Sequence, residues 1–229
     1  MNLTVLGRYG PFPQAGDSAC SCYYLEDGDL KLLMDMGPGS LRRVFGKVDL
    51  SALSALFLSH LHYDHTSDLL PLRYALENKP YRLKILAKKE DTDYCRLLLD
   101  AKEFDVTWID DGEELGLCGK TLRFTAGRHT VPDLAVTVYG EKVFTYTGDT
   151  VMCEGIRKLA RESDVLLADC AKPSGFMGPH MTADDCKELL ELGNARILAT
   201  HLSPGTEPEE YLPVSERLTV VRELETYVL

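Results

Sequence analysis

Short apolar runs closed by Gly, Pro or acidic turns alternate along the chain with stretches whose apolar residues recur at three- and four-residue spacing, the marks of strands and amphipathic helices. Strands are expected over residues 3–6, 22–25, 30–34 and 55–58, with Glu26-Asp-Gly-Asp29 turning the second into the third. Helices are expected through Leu41, Val44 and Phe45, and from Asp64 and His65 through Leu69, Leu72 and Leu76. Pro71 falls close enough to the start of the latter to be tolerated. Further strands are expected at 83–86, 106–109, 121–125, 135–138, 143–146, 165–168 and 195–200. Helices run through Tyr94, Leu97, Leu98 and Ala101, over 152–159, and over 182–192, where Thr182 supplies an N-cap and Asp184 and Asp185 suit the first turn. Segments 207–212, 218–222 and 226–229 complete the layers, and Asp110-Asp-Gly-Glu-Glu114 reads as a solvated charged turn. Strands come in two groups, each followed by helices, without an internal repeat. The expected class is α+β, a four-layer sandwich of two β-sheets with helices on both outer faces.

At 229 residues the chain can build one substantial core, and no linker divides it, so a single domain over 1–229 is expected. Its amino-terminal segment enters a strand pattern directly, and no apolar run reaches membrane-spanning length, which points to a cytoplasmic protein without a membrane partner. Acidic residues outnumber basic ones 36 to 25, for a formal charge of −11, and no Lys/Arg block is present. Long nucleic acid is thereby disfavoured, while small anionic substrates stay open. Seven scattered cysteines, several in apolar runs, fit reduced core thiols better than a disulfide framework. Cys20-Ser-Cys22 reads as a thiol pair or, in preference, as two strand residues on one face.

The chemistry concentrates in Leu58-Ser-His-Leu-His-Tyr-Asp-His-Thr66. Residues two apart in an extended segment point the same way, so His60 and His62 can share one cation. A turn into the following helix aims Asp64 and His65 beside them. Imidazole nitrogen mixed with carboxylate oxygen suits zinc and its first-row neighbours rather than calcium or magnesium. An isolated His-x-His is more often an ordinary loop, but the chain has only six histidines. Three lie here, and His129, His180 and His201 each follow a strand-like run or sit in a Gly/Pro-marked loop.

His60-Leu-His-Tyr-Asp-His65 resembles the HxHxDH motif of the metallo-β-lactamase superfamily, and later segments follow that family's order. Ala126-Gly-Arg-His129 resembles the third-ligand histidine, Tyr146-Thr-Gly-Asp-Thr150 the strand-end aspartate that bridges two metals, and Ala199-Thr-His-Leu-Ser203 the last ligand. Gly178-Pro-His-Met-Thr182, followed by an amphipathic helix and the Ala199-Thr-His201 strand end, resembles the ribonuclease Z-like branch. Members of that branch that process tRNA carry a long basic arm between the third ligand and the bridging aspartate. Here residues 130–148 are taken up by two expected strands, so the likeness is to the short, armless, phosphodiesterase-like members, and no tRNA partner is expected.

The resemblance implies the αββα sandwich and two divalent cations, zinc first, with manganese or iron as alternatives. One would be held by His60, His62, His129 and Asp149, the other by Asp64, His65, His201 and the same Asp149. Water between two such cations is deprotonated near neutral pH, and the pair can neutralise phosphate oxygens. His180, with Asp169 behind it, is implied as general acid and orienting carboxylate, with a loop-packing histidine as the alternative. Asp35, at the family's Asp-x-Gly position, either braces a ligand by hydrogen bonding or simply forms a turn. Lys172, Arg128 and Tyr9 are weaker pocket candidates. The leading expectation is a dinuclear phosphodiesterase for a small anionic phosphodiester, such as a cyclic or short nucleotide. A thioester or lactone hydrolase, a mononuclear iron oxygenase and a non-catalytic metal-bound sensor are the competing readings. Relatives in the branch are often homodimers.

Overall fold

The computed structural model describes residues 1–170, 172–213 and 215–229; Ala171, in the expected strand end from Asp169 to Lys172, lies outside them. One seven-stranded sheet contains β1 (Asn2–Gly7), β2 (Cys22–Asp27), β3 (Leu30–Met34), β4 (Ala55–Phe57), β5 (Leu83–Ala87) and β6 (Phe104–Trp108), with the last strand of the chain on its outer edge. The other contains β7 (Glu114–Leu117), β8 (Lys120–Ala126), β9 (Leu134–Tyr139), β10 (Val143–Tyr146), β11 (Val165–Asp169), β12 (Arg196–Thr200) and β13 (Leu218–Val220). With β14 (Thr226–Val228), the orders are β14-β1-β2-β3-β4-β5-β6 and β13-β12-β11-β10-β9-β8-β7. Each sheet is mixed: β3 to β6 and β10 to β13 run parallel, and the rest pair antiparallel.

Alternation along the strands divides their apolar side chains between two faces. The inner faces meet in a core that includes Leu3, Tyr23, Leu32, Phe57, Phe124, Val136, Phe144 and Leu198. Outward residues of the first sheet, Leu33, Leu56 and Ile85, are covered by α1 (Ser40–Lys47), α3 (Leu69–Leu76) and α4 (Asp93–Leu99). Those of the second, Leu166 and Ile197, lie under α5 (Glu154–Glu162) and α6 (Ala183–Leu192). The expected four-layer sandwich is the observed one. Among the described residues no helix is long and apolar enough to cross a membrane.

Several local expectations change. The single helix from Asp64 to Leu76 is two, α2 (Tyr63–Thr66) and α3. At the break the Asp68 N–H donates to the Met36 carbonyl at 3.1 Å, and Pro71 has no N–H to offer Ser67. The Asp68 carboxylate meanwhile accepts from the Leu41 N–H at 2.8 Å, tying the break to α1. Phe45 lies in α1 as expected, with its ring exposed, whereas Ala101 falls beyond the end of α4. The charged turn runs into an unexpected edge strand, β7, whose Glu114 and Gly116 hid it from a search for apolar alternation. Cys20 and Cys22 are buried free thiols that burial pushes well above the usual cysteine range; Cys22 opens β2, but Cys20 lies ahead of the strand in an isolated bridge to Tyr9 rather than on one strand face with it.

Candidate metal centre

Strand direction fixes where the chemistry gathers. β8, β10, β11 and β12 point the same way, as do β3 and β4 in the facing sheet, and their carboxyl ends open on one edge. Asp35 follows β3, Ser59 to His65 follow β4, His129 follows β8, Asp149 follows β10, Asp169 ends β11 and His201 follows β12. Crevices beyond the carboxyl ends of parallel strands are where such sheets place ligands, because the loops there carry no ladder and can aim side chains.

All seven residues expected to bind metal converge. His60, His62 and His129 form one potential ligand group, and Asp64, His65, Asp149 and His201 form a second. Between them, Asp149 Oδ2 lies 3.1 Å from His201 Nε2, 3.3 Å from His65 Nε2, 3.9 Å from His60 Nε2 and 4.0 Å from His129 Nε2. One carboxylate oxygen thus faces both groups.

The hydrogen bonds fix which nitrogen of each ring faces inward. His65 donates from Nδ1 to Asp35 Oδ2 at 2.7 Å, and His129 from Nδ1 to the Pro179 carbonyl at 2.9 Å. Ser59 Oγ donates its proton to Asp35, so it can only accept from His60 Nδ1 at 3.0 Å; Asp133 Oδ1 also stands 3.2 Å from that nitrogen. Ser21 Oγ meets His201 Nδ1 at 3.3 Å. The Nε2 lone pairs of these four rings are left pointing into the site, whereas His62 is turned over. Its Nε2 meets Thr130 Oγ1 at 3.3 Å, and its Nδ1 lies 3.0 Å from His60 Nε2 and 3.1 Å from His129 Nε2.

His60 Nε2, His62 Nδ1 and His129 Nε2 lie close together at ligand spacing, and the donor set fits one cation. Burial holds His60 and His201 well below the usual imidazole range and lowers His62 and His129; it opposes a charge on His65 too, but Asp149, Asp35 and Asp64 outweigh it and raise that ring well above the range. Burial pushes the Asp149 carboxyl up, but His201 and His65 outweigh it and hold the group well below the ordinary carboxylate range. His65 Nε2 and Asp149 Oδ1 are buried with no hydrogen-bond partner. Buried polar atoms ordinarily have one, so both await a further group.

Two close contacts aim the ligands. A Cβ on Gly10 would stand 1.9 Å from His201 Cε1, so only glycine lets the 7–13 loop lie against that ring. Gly148 sits at φ +61°, and a Cβ there would come within 2.4 Å of Asp133 Oδ1.

His180 stands on the open side of this centre. Its Nδ1 is 2.8 Å from Asp169 Oδ2 and 3.8 Å from Asp149 Oδ2, and its ring lies 5.0 Å from that of His201. Burial opposes a charge on His180, but the Asp169 carboxylate outweighs it and raises its pKa. Asp169, pushed up to about 6 by burial, also accepts from the Thr150 N–H. Together with Asp149 and His201 this pair forms a third group with metal-ligand spacing.

The weaker candidates separate. Lys172 is buried and donates to Ser203 Oγ at 2.7 Å, Tyr9 takes a hydrogen bond from Arg8, and Arg128 is exposed. None lines the cavity of about 300 Å³ over the centre, whose walls include Pro11, Tyr63, Thr130 and His180. Sequence reasoning passed over Asp133, which is 2 % exposed, contacts His60 and accepts from the Asp149 N–H at 3.2 Å. Burial and the nearby Asp149 raise its pKa well above the carboxylate range.

Comparison with known proteins agrees with this geometry. Residues 15–201 match the family model of the metallo-β-lactamase superfamily. The chain is 29 % identical over 213 residues to the probable metallo-hydrolase YhfI of Bacillus subtilis, covering 88 % of this chain and 87 % of that protein. It is 26 % identical over 250 residues to ribonuclease Z of Pyrobaculum aerophilum, covering 89 % and 87 %. The crystal structure of Bacillus subtilis YhfI superposes with a TM-score of 0.88 at 24 % identity over 99 % of this chain and 98 % of that one. A diphosphatase from the PhnP family superposes at 0.79 with 16 % identity, over 100 % and 97 %. Between His129 and Asp149 the segment is spent on β9 and β10, leaving no room for a long arm. The chain belongs to the metallo-β-lactamase superfamily, in its ribonuclease Z-like branch.

Proposed function

We propose that this protein is a dinuclear metal-dependent phosphodiesterase for small phosphodiesters. The observation that carries the reading is the position of Asp149 Oδ2, within 4.0 Å of ring nitrogens from both ligand groups, with the His180–Asp169 pair on its open side. His60, His62 and His129 would hold one cation and Asp64, His65 and His201 the other, with Asp149 common to both. Bound there, two divalent cations such as zinc would supply a deprotonated water at neutral pH and offset phosphate charge.

The chain's own residues supply the rest. When His180 is charged, Asp169 accepts from its Nδ1–H and the Nε2–H is the proton available to a departing alkoxide, leaving a neutral imidazole. No Lys or Arg lines the cavity among the described residues, so His180 is its one protein cation when charged. At about 300 Å³ the cavity suits a small ester better than a polymer. The test is turnover of bis(p-nitrophenyl) phosphate by metal-loaded protein, beside a thioester and lactone panel. Phosphodiester turnover that outruns the panel, with two metal equivalents per chain, supports the reading. Preference for the acyl substrates, or one iron per chain, overturns it.

A further inference from the structure

A second hollow of about 290 Å³ opens beside the catalytic cavity. The two share His62 and Tyr63, and Thr130 and Val131 continue the wall from one into the other. Its character differs from that of the metal centre. Leu61 and Val131 give it an apolar floor, and Tyr63 and Tyr94 meet edge to face at 4.8 Å between ring centroids. Tyr63 is 69 % exposed although it follows a metal-binding histidine, so its ring does no work in the core. Tyr94 is fixed by a hydrogen bond to Thr66 Oγ1 at 2.9 Å.

Among the described residues one carboxylate side chain lines this hollow, Glu90, ahead of the N-terminus of α4. It also borders a groove beside Trp108, and its Oε1 is buried without any hydrogen-bond partner. Two lysines, Lys88 and Lys89, precede it in the chain, yet Lys88 is paired with Asp110 and, among the described residues, no ion pair to Glu90 forms. Burial accordingly raises the Glu90 carboxyl above the usual range. An aromatic wall with an unpaired carboxylate matches one kind of ligand: a flat or apolar group carrying N–H or O–H donors.

We propose that this hollow is the subsite for the nucleoside portion of the substrate, with Tyr63 stacking on a base and Glu90 accepting from base N–H or ribose O–H groups. His62 and Tyr63 are common to both cavities, so a phosphate at the metal centre and a nucleoside in the hollow belong to one molecule. The inference rests on the phosphodiesterase reading and narrows it to nucleotide esters. Tyr63 and Glu90 are specificity determinants, since neither touches the reacting atoms.

The experiment compares two esters with the same leaving group, guanosine 5′-(p-nitrophenyl) phosphate and bis(p-nitrophenyl) phosphate, on the metal-loaded wild type, Glu90→Gln, Glu90→Leu and Tyr63→Leu. The ratio of their kcat/KM values isolates the nucleoside, because the chemical step is shared. We expect the wild type to favour the guanosine ester. The ratio should fall about tenfold in Tyr63→Leu, the scale of one lost base stack, and at least as far in Glu90→Leu, mainly through KM. Saturation-transfer NMR should detect guanosine on the wild type and lose it in Glu90→Leu. An unchanged ratio in all three variants, or equal losses on both esters, overturns the subsite while leaving the phosphodiesterase reading intact. Absence of turnover on both esters defeats that reading instead, and guanosine binding alone would then still decide the subsite.

Discussion

Asp35 holds the Nδ1 of His65 at 2.7 Å, and the two are both fully buried. The same Asp35 oxygen accepts from the Tyr146 hydroxyl at 2.6 Å and the Ser59 hydroxyl at 2.8 Å, while Oδ1 takes the Ser59 N–H at 2.8 Å. Asp35 sits at φ +56°, outside the ordinary region for a residue with a side chain. The backbone tolerates this conformation because four donors converge on the carboxylate it presents. One group therefore sets the tautomer of His65, ties the loop after β4 to β3, and joins both to the second sheet.

Asp35→Asn tests this role of the carboxylate. The amide keeps the shape but puts an N–H where an acceptor stood, so His65 loses its fixed tautomer. Metal affinity should fall by about ten- to a hundredfold, read by competition with a chromogenic chelator. Asp35→Ala goes further and strands several buried donors, at a cost of about 3 kcal/mol or more in chemical denaturation. An Asn variant that binds metal as tightly as the wild type would show the contact to be a turn and no more.

Gly10→Ala tests the approach of the amino-terminal loop to His201. The added methyl would overlap the ring at 1.9 Å, so either the loop or the imidazole must move. His201 stands at φ +59° right after β12, which leaves it little backbone freedom to absorb the push. Turnover should drop about a hundredfold with only a small change in Tm, the scale associated with misplacing a site by about 1 Å. An active Gly10→Ala protein would mean that the loop gives way freely and does not position the ligand.

The legible and illegible parts of this molecule divide on physical grounds. His60, His62, Asp64, His65, His129, Asp149 and His201 could be picked out as one cluster because scarce residue types stand at strand ends, and strand ends show in the apolar pattern. Asp133 could not. It is an ordinary loop aspartate until sheet stacking carries it onto His60, and its tie to the Asp149 N–H spans 16 residues. Tyr146 could be read only as the end of a strand, and its hydroxyl reaches Asp35 from 111 positions away. Neither contact has a spacing that could be searched for. The break between α2 and α3 was missed for a related reason, since the Met36 carbonyl that captures the Asp68 N–H belongs to a distant loop.

His180→Ala should keep both metal equivalents and slow turnover by roughly a hundredfold or more, the usual effect of losing a general acid. Asp169→Asn should follow it in direction, because the imidazole loses the 2.8 Å acceptor that orients it. Metal analysis on the same samples is essential, since Asp149, Asp169, His180 and His201 also have the spacing of a ligand group. Loss of one equivalent in His180→Ala would make the residue a ligand and remove the assigned proton donor.

Removing the metal tests the centre through stability rather than rate. Asp149 Oδ1 is buried without a hydrogen-bond partner, and the inward nitrogens of His60, His62 and His129 lie within 3.1 Å of a neighbouring ring nitrogen. A cation present at about a thousand times its dissociation constant stabilises the fold by about 4 kcal/mol. Treatment with EDTA should therefore lower Tm by roughly 10 °C in a chain of this size. The two ligand groups make the response divisible. His129→Ala and His65→Ala should each bind one equivalent and show a smaller chelator-induced shift, while Asp149→Ala, which removes the oxygen facing both groups, should show the smallest. Equal shifts in all three variants and the wild type would mean that the chelator acts elsewhere and that these residues do not hold the ions.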